Sequence, residues 1–521
     1  MTARGNASKR TLTLPVIALA LLVAGCRSYR VPDDELVVLV EAPPQSPDPR
    51  HAVTAYDFKL LRLMYAPLVS VDDEHVEPRM ELAEYVRPLD ARTWEVKLRE
   101  GVRFSDGRAV TSADVFYTVE EFATPRTSNA LRTRFVQDGL EKLEIVDART
   151  LRFHLSHPHA PFITDLDFGV LEKPNGEEAK PFPVGAGPFV FAEHRGDTWR
   201  LRANPYFWAG APKVRALELK TIRDDNSRLL ALVGGSGDLT QNTISPLLLD
   251  AVEKQPRLKL ETGRSAVYSY LGINCEDPIL KDPRVRRAIA YAIDRRLIVQ
   301  TKLRDRALLA TGMLPTFHWA YNPDVERYEY DPAKARALLD EAGFPDPDGD
   351  GPEPRFTLVY KTSNNRFRVA IASVIASMLA EVGIEVDLRV NEFATFFADV
   401  KKGNYQLFSL QLPEIAEPDL YTTFFASTRI PTRANLDAGY NRVRYRNPEI
   451  DRLLDEGRSE MDRERRKQIY GRVQKILAED LPVVSLWHED NVAAMRREVR
   501  GFQILPTAQL TSLARTYKEK R

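Results

Sequence analysis

The sequence predicts an α/β protein folded as two lobes. Three observations carry that prediction. The chain has 521 residues, 43% of them hydrophobic, which is too long for one small core and comfortable for two. Residues 356–390 read as strand, helix, strand: an apolar run at 356–360, then a helix at 366–382 (Val369, Ala372, Ser373, Leu379) stopped by Gly383. Ile384, Val386, Leu388 and Val390 then alternate. A unit of this kind calls for parallel strands and a right-handed crossover. Residues 271–299 follow an extended stretch (Tyr268, Tyr270, Leu271, Ile273), turn at Asp277-Pro278 and start a helix at Asp282-Pro283. Val285, Ala288, Ile289, Ala292 and Ile293 form one apolar face there. Arg284, Arg286, Arg287, Arg295 and Arg296 fall largely off it.

Composition narrows the function classes. Lysine plus arginine (74) equals aspartate plus glutamate (74), so the basic excess expected for a nucleic-acid partner is missing. Arg4, Lys9 and Arg10 precede an apolar run at 12–24 that closes on Val23-Ala24-Gly25-Cys26, the order of an export signal. The reading is a lipoprotein signal peptide at 1–25, lipid attachment at Cys26 and a polar tether at 26–35. The competing reading is an uncleaved single-span anchor. Cys275 is then without a partner and reads as a small buried thiol. The sequence carries no G-x-S-x-G, H-E-x-x-H or C-x-x-C, so no catalytic residue is assigned and an enzyme is not expected.

Taken in order, residues 36–40 are a continuous apolar run, expected as a buried strand, and 56–68 have helical spacing. Trp94, Val96 and Leu98 alternate with charged neighbours as a half-exposed strand. Ser105-Asp106-Gly107 is a turn, and Thr111 with Asp114 makes a capping box ahead of Val115, Thr118 and Val119. His157 and His159 would share a strand face, a conceivable metal pair. Pro158 and the want of a nearby carboxylate or thiolate favour exposed strand-end histidines instead. Gly185-Ala186-Gly187-Pro188 is a turn without the rest of a phosphate loop. Residues 217–222, 226–232 and 237–239 read as strand, helix and turn. Asp331-Pro332 starts a helix with Ala335, Leu338, Leu339 and Ala342 inward and Gly343 as its stop. Asp346, Asp348, Asp350 and Gly351 imitate a calcium loop, but Thr357 stands where its bidentate acid belongs, which favours a solvated turn. Residues 407–410 are an apolar strand. Asn447-Pro448 caps a helix with Ile450, Leu453 and Leu454 inward, 463–478 is a long charged helix read as solvated, and 481–487 is an apolar strand.

The wording of several stretches is more specific. Read from Asn274, N-x(7)-D-x-R-V-R-x-A-I-x-Y-A-I-D-R resembles the hinge and first second-lobe helix of family 5 extracellular solute-binding proteins, the dipeptide- and oligopeptide-type receptors of ABC importers. Residues 98–115 (LREGVRFSDGRAVTSADV) resemble a scaffold signature of that family. So do the glycine turn before Pro188 and the strand exit Arg202-Ala203-Asn204-Pro205-Tyr206-Phe207-Trp208. The resemblance runs from about 36 to about 502. It implies a periplasmic-binding-protein (Venus flytrap) fold, with lobe I at 36–271, an extra subdomain in it at about 69–183, lobe II at 272–486, and 487–521 returning to lobe I. It also implies a monomeric substrate-binding lipoprotein of the cell envelope, periplasmic in a Gram-negative or on the extracellular face in a Gram-positive. Such a protein captures peptides or peptide-like solutes in an interlobe cleft and delivers them to a permease and ATPase complex, with no cofactor or metal. The alternatives are a lipid-anchored sensor or chaperone on the same fold, or a receptor for a nickel chelate, haem or oligosaccharide.

In the family's peptide binders the strand after the strand–helix–strand unit ends in W-x-x-D-x-x-D-P, whose first Asp meets the ligand ammonium. A desolvated carboxylate holds a cation more tightly as water leaves. The matching residues here are Gln411-Leu412-Pro413-Glu414-Ile415-Ala416-Glu417-Pro418-Asp419. The resemblance places Glu414 on the ammonium anchor, Glu417 and Asp419 in the following acidic turn, and Gln411 in place of the Trp. It also implies Phe393 as an aromatic cleft wall, Tyr65 on the lobe I side and Asn274 at the hinge. Arg366 and Lys361 stand where a ligand carboxylate would meet them.

Overall fold

The computed structural model describes residues 31–124, 139–175, 182–349, 351–412, 415–435 and 439–519. The leader at 1–25, Cys26, Asp350 and Glu414 lie outside the described residues. In chain order the strands are β1 (Glu35–Val40), β2 (Val69–Ser70), β3 (Arg79–Met80), β4 (Ala83–Pro88), β5 (Thr93–Leu98), β6 (Leu140–Ile145) and β7 (Thr150–Leu155). There follow β8 (Phe189–Arg195), β9 (Thr198–Ala203), β10 (Ala216–Thr221), β11 (Leu239–Gln241), β12 (Leu258–Gly263) and β13 (Tyr268–Ile273). The last are β14 (Ala307–Leu309), β15 (Phe356–Ser363), β16 (Ile384–Asn391), β17 (Leu407–Leu412), β18 (Val483–Glu489), β19 (Asn491–Arg496), β20 (Val499–Arg500) and β21 (Tyr517–Lys518).

Two large sheets make the two lobes. Lobe I holds a seven-stranded sheet of order β12-β19-β11-β1-β10-β9-β8, and lobe II a six-stranded sheet of order β14-β18-β13-β17-β15-β16. β1 is central to the first sheet and buried on both faces, which is why its sequence is uninterruptedly apolar. Leu36, Val38 and Val40 enter one core and Val37 and Leu39 the other. β13 divides likewise, Leu271 and Ile273 to one side and Tyr268 and Tyr270 to the other. Gly272 is required between them, because a Cβ there would overlap the Phe408 ring. The strands β4 to β7 form a separate four-stranded sheet inside 69–183. It shares one core with lobe I, since Val96, Phe122 and Phe153 belong to the same cluster as Leu217 and Leu239. The glycines of the 185–188 turn serve that packing: a Cβ on Gly185 or Gly187 would overlap the main chain of Met64.

Local signals read correctly. Thr111 and Asp114 form the expected capping box, and the side chains of Asp282, Asp331 and Asn447 cap the helices Pro283–Ala292, Pro332–Glu341 and Pro448–Ser459. β15 and β16 are parallel around the helix Arg366–Ala380. Burial pushes the Cys275 thiol up to about 12, as suits an inert thiol.

Long-range features differ from the expectation. The first helix after β13 stops at Ala292, and Asp294 caps a second one, Arg295–Lys302. Arg286 and Arg295 are buried, not off the core: Arg286 donates to the carbonyls of Leu280, Lys281 and Asp480, and Arg295 to those of Ala310, Tyr328 and Ser485. The tether is shorter than 26–35, because Val31 is buried and its N–H meets the Gly235 carbonyl at 3.3 Å. His159 is buried, not exposed, with Nε2 2.6 Å from Asp165 Oδ2. The passage between lobes also moves. Tyr268 is already in the lobe II sheet and Glu489 still is, so the chain crosses at 264–267 and at Asp490, not near 272 and 487.

Two buried histidines make the fold acid-sensitive. His318 and His488 are each pushed down to about 4 from 6.5 by burial. An unfolded chain takes up these protons near 6.5 and the folded chain only near 4, so their contribution to stability is complete above 6.5 and is lost as pH falls through that window. The loss is on the order of 2–3 kcal/mol per ring by pH 4.5. His488→Asn keeps a donor for the Val267 carbonyl, which accepts from Nδ1 at 3.1 Å. We expect its melting temperature to fall less between pH 7 and pH 4.5 than the parent's; parallel curves would contradict the assignment.

Candidate functional site

Strand direction decides where the site lies. In lobe II, β15 runs parallel to β16 and β17, with Lys361 level with Arg389 and Phe408. The three strands therefore end on one side, at Ser363, Asn391 and Leu412, and release there the helix Arg366–Ala380, the helix Phe393–Lys402 and residues 413–419. β13 and β18 flank this set, with Tyr268 level with both Leu412 and His488, so both crossings leave lobe II at the same end. In lobe I, β10 and β11 run parallel to β1 and end at Thr221 and Gln241. Gln241 is level with Ala493, and Gly263 with Asn491, so the crossings arrive at that carboxyl end too. The carboxyl ends of two parallel sets thus face each other across the crossings, and such ends form the ligand crevice in open α/β sheets.

The rims are tied by buried polar groups. On the lobe I side Arg228 is fully buried; its Nε donates to the Thr243 carbonyl at 2.9 Å, its Nη1 to that of Ile222 at 2.5 Å, and it pairs with Asp225. It joins the ends of β10 and β11. Asn242, at a positive φ of 58°, donates to Asn491 Oδ1 at 2.7 Å and accepts from the Val492 N–H at 2.8 Å. The lobes also touch beside the crossings, through Arg306 and Glu253 at 2.8 Å and through Arg304 and Asp250. Across the extra subdomain, the Ala160 N–H donates to the Arg458 carbonyl at 2.9 Å and Arg463 pairs with Glu77.

The residues proposed from sequence divide three ways. Arg366 is exposed in the first turn of its helix, and Phe393, 49% exposed, opens the helix Phe393–Lys402, so both stand at the carboxyl ends of lobe II. Tyr65 is buried behind the rim, its hydroxyl 2.8 Å from the Pro183 carbonyl and 3.1 Å from that of Pro47. Lys361 is buried against Asp399 at 2.7 Å. Glu417 pairs with Arg466, whose Nε also donates to the Gly457 carbonyl at 2.9 Å. Asp419 accepts from Thr422 Oγ1 at 2.8 Å and lies 3.5 Å from Arg458. Burial raises both acids while these arginines oppose it. Asn274 is a correction. It follows the last residue of β13, where Ile273 is level with Leu407, and so lies at the opposite end of the sheet from the crevice. There it donates to the Tyr405 carbonyl at 3.1 Å.

Two cations that the sequence reading passed over flank the end of β17. On one face Arg368 donates to Gln411 Oε1 at 3.1 Å, and Gln411 Nε2 donates to Glu489 Oε1 at 2.5 Å and to Ser269 Oγ at 3.0 Å. Trp487 Nε1 reaches the same Glu489 oxygen at 3.1 Å. The residue in the Trp position of the motif is therefore a polar link from Arg368 to the strand entering the second crossing. Burial holds the Arg368 guanidinium down and Glu489 opposes it. On the other face, Arg442 lies over the rings of Phe397, at 4.5 Å, and Tyr440, at 4.9 Å. One signal for Arg368 was legible. Arg366 and Arg368 open a helix whose first turn holds no acid, at its positive pole, where arginine is unfavourable unless something anionic comes near.

Residues 77–430 match the family described as bacterial extracellular solute-binding proteins, family 5 Middle. The chain is similar to di/tripeptide-binding protein 2 of Pseudomonas aeruginosa, with 27% identity over 94% of this chain and 96% of that one. It is similar to the solved structure of the oligopeptide-binding protein AppA from Bacillus subtilis in complex with a nonapeptide, at a TM-score of 0.76 and 26% identity over 93% and 99% of the two chains. It is similar too to the ABC transporter substrate-binding protein CtaP from Listeria monocytogenes, at a TM-score of 0.82 and 25% identity over 93% and 99%.

Glu417→Gln separates a structural acid from a ligand-facing one. Arg466 keeps only 8% of its side chain exposed, and depriving a buried cation of its partner costs about 3–5 kcal/mol. The melting temperature of the solute-free protein is expected to drop by several degrees. An unchanged melting temperature with weakened solute binding would instead put Glu417 in the solute's contact set.

Proposed function

The chain belongs to the bacterial extracellular solute-binding proteins of family 5, and on that premise we propose that it captures a peptide or peptide-like solute in the crevice and delivers it to the permease of an ABC importer. The observation that carries this reading is the pair of opposed carboxyl ends joined by two adjacent crossings. Loops and helix starts from both lobes converge there, so a solute lying between them is contacted from both sides and favours the closed arrangement. The names of the similar proteins, a di/tripeptide-binding protein and an oligopeptide-binding protein with a nonapeptide, support a peptide as the solute class. The family binds its solutes and does not transform them.

Within the crevice we assign Glu414 to the ligand ammonium, because it matches the first acid of the family motif and comes two residues after the end of β17 in the sequence. Phe393 and Arg366, at the neighbouring strand ends, complete the lobe II side. Lipid attachment at Cys26 is part of the same proposal, from the order of basic, apolar and small residues before it. It would tether the protein to a membrane of the cell envelope.

Two substitutions test these assignments. A charge-assisted contact to a desolvated ammonium is worth about 2–5 kcal/mol when one partner is removed. Glu414→Gln should therefore weaken binding of the co-purified solute, identified by native mass spectrometry, by about 30-fold or more, with an unchanged melting temperature of the empty protein. Equal affinity in calorimetry would remove the ammonium contact and favour a neutral or anionic solute. Cys26→Ser should move the protein from the membrane pellet to the soluble exported fraction; continued pelleting would favour an uncleaved membrane span.

A further inference from the structure

Among the described residues, several buried arginines reach defined acceptors, whereas Arg442 is part-buried. Arg228, Arg286 and Arg295 donate to main-chain carbonyls, and Arg466 has Glu417. Arg442 is different. Its Nε is buried without an acceptor, and none of its guanidinium nitrogens donates a hydrogen bond or forms an ion pair with any described residue. The groups that act on its charge are the phenols Tyr270, Tyr440 and Tyr405, and burial holds its pKa down. What steadies the cation is aromatic: the Phe397 and Tyr440 rings lie at 4.5 and 4.9 Å from the guanidinium carbon. A part-buried guanidinium whose Nε lacks an acceptor is better satisfied when an anion arrives.

Its surroundings point outward to the crevice. Arg442 lines a cavity with Tyr270, Leu412, Phe424 and Tyr440, and Leu412 is the last residue of β17. Phe393, 49% exposed, stacks on Phe397 at 5.6 Å with the rings 14° apart, and Tyr440, 39% exposed, meets Phe424 edge-on at 6.2 Å. A column of Phe393, Phe397, Arg442 and Tyr440 thus runs from one exposed ring to another with the cation inside. The cavity is small, about 20 Å³, enough for about one water-sized group. It admits the end of a charged group, while whatever carries that group must lie along the exposed rings.

We propose that Arg442 is the anion receptor of the crevice, and that it selects solutes in which a carboxylate is carried next to an apolar or aromatic group. The planar guanidinium clamped between two rings presents its remaining N–H edge in one orientation, suited to a carboxylate fork. The carboxylate is the C-terminus of a short peptide or an acidic side chain within it. This rests on the crevice being the solute site, and it adds a charge requirement to that reading.

Calorimetry with a matched peptide panel tests it: tripeptides with a central Phe, bearing either Gln or Glu at one end, each with a free or an amidated C-terminus. For the parent protein, converting one amide to the acid should tighten binding at least tenfold, and the position that does so identifies the source of the carboxylate. Arg442→Gln should erase that gain and bind the neutral peptide within about twofold of the parent. Arg442→Lys, which keeps the charge and loses the fork, should retain part of the gain, and it carries the test if Arg442→Gln does not fold. A gain that survives in Arg442→Gln, or a parent that binds the peptides without distinguishing acid from amide, overturns the role of Arg442 and leaves the peptide reading standing. A parent that binds none of the panel overturns both.

Discussion

The structure depends on two adjacent strands that change sheets side by side. β13 and β18 are paired in lobe II, with Tyr268 level with His488, and they continue into β12 and β19, paired in lobe I with Gly263 level with Asn491. Only residues 264–267 and Asp490 lie between the two ladders. Ala266 donates its N–H to the Pro506 carbonyl at 2.9 Å and Asp490 to that of Arg306 at 3.0 Å, so the junctions are anchored on either side. The two large sheets lie on either side of these few residues, which leaves rotation about the double junction as the soft motion between rigid bodies.

That constraint also fixes the chemistry of the crevice. Strands enter the junction at the carboxyl end of each parallel set, so the helices that follow present their amino ends there. In lobe II this brings the starts of Arg366–Ala380 and Phe393–Lys402 together with the end of β17. Glu392 satisfies the second of these helices by accepting from the Ala394 N–H at 2.7 Å. Arg366, Arg368 and Arg442 remain as cations around the strand ends, Arg368 linked through Gln411 to Glu489. In the proposed reading, a solute entering here meets arginines and aromatic rings on lobe II beside the proposed ammonium anchor Glu414, close to the strand that runs into the hinge.

What the sequence made legible follows from range. Caps at Thr111, Asp282, Asp331 and Asn447 and the strand–helix–strand unit at 356–391 depend on neighbours in the chain, and they were read correctly. Sheet membership is not local. Residues 268–273 read as an extended stretch whichever sheet they join, and the crossing at 264–267 became visible only from the pairing. Asn274 was placed at the hinge because its motif resembles the family's hinge, but a strand's direction within its sheet cannot be read from its composition. Arg466 looked like one more residue in a solvated basic run, since its partner Glu417 lies 49 positions earlier. Arg442 gave no sign at all, because its mark is a buried Nε without an acceptor among the described residues, which only folding brings together.

The most direct measurement is small-angle scattering of one preparation, first freed of solute and then saturated with a solute whose binding calorimetry has confirmed. If the lobes close about residues 264–267 and Asp490, the radius of gyration falls on saturation and the scattering curve changes shape, while the secondary structure by circular dichroism stays the same. Superimposable curves with and without bound solute would contradict a hinge at the double crossing.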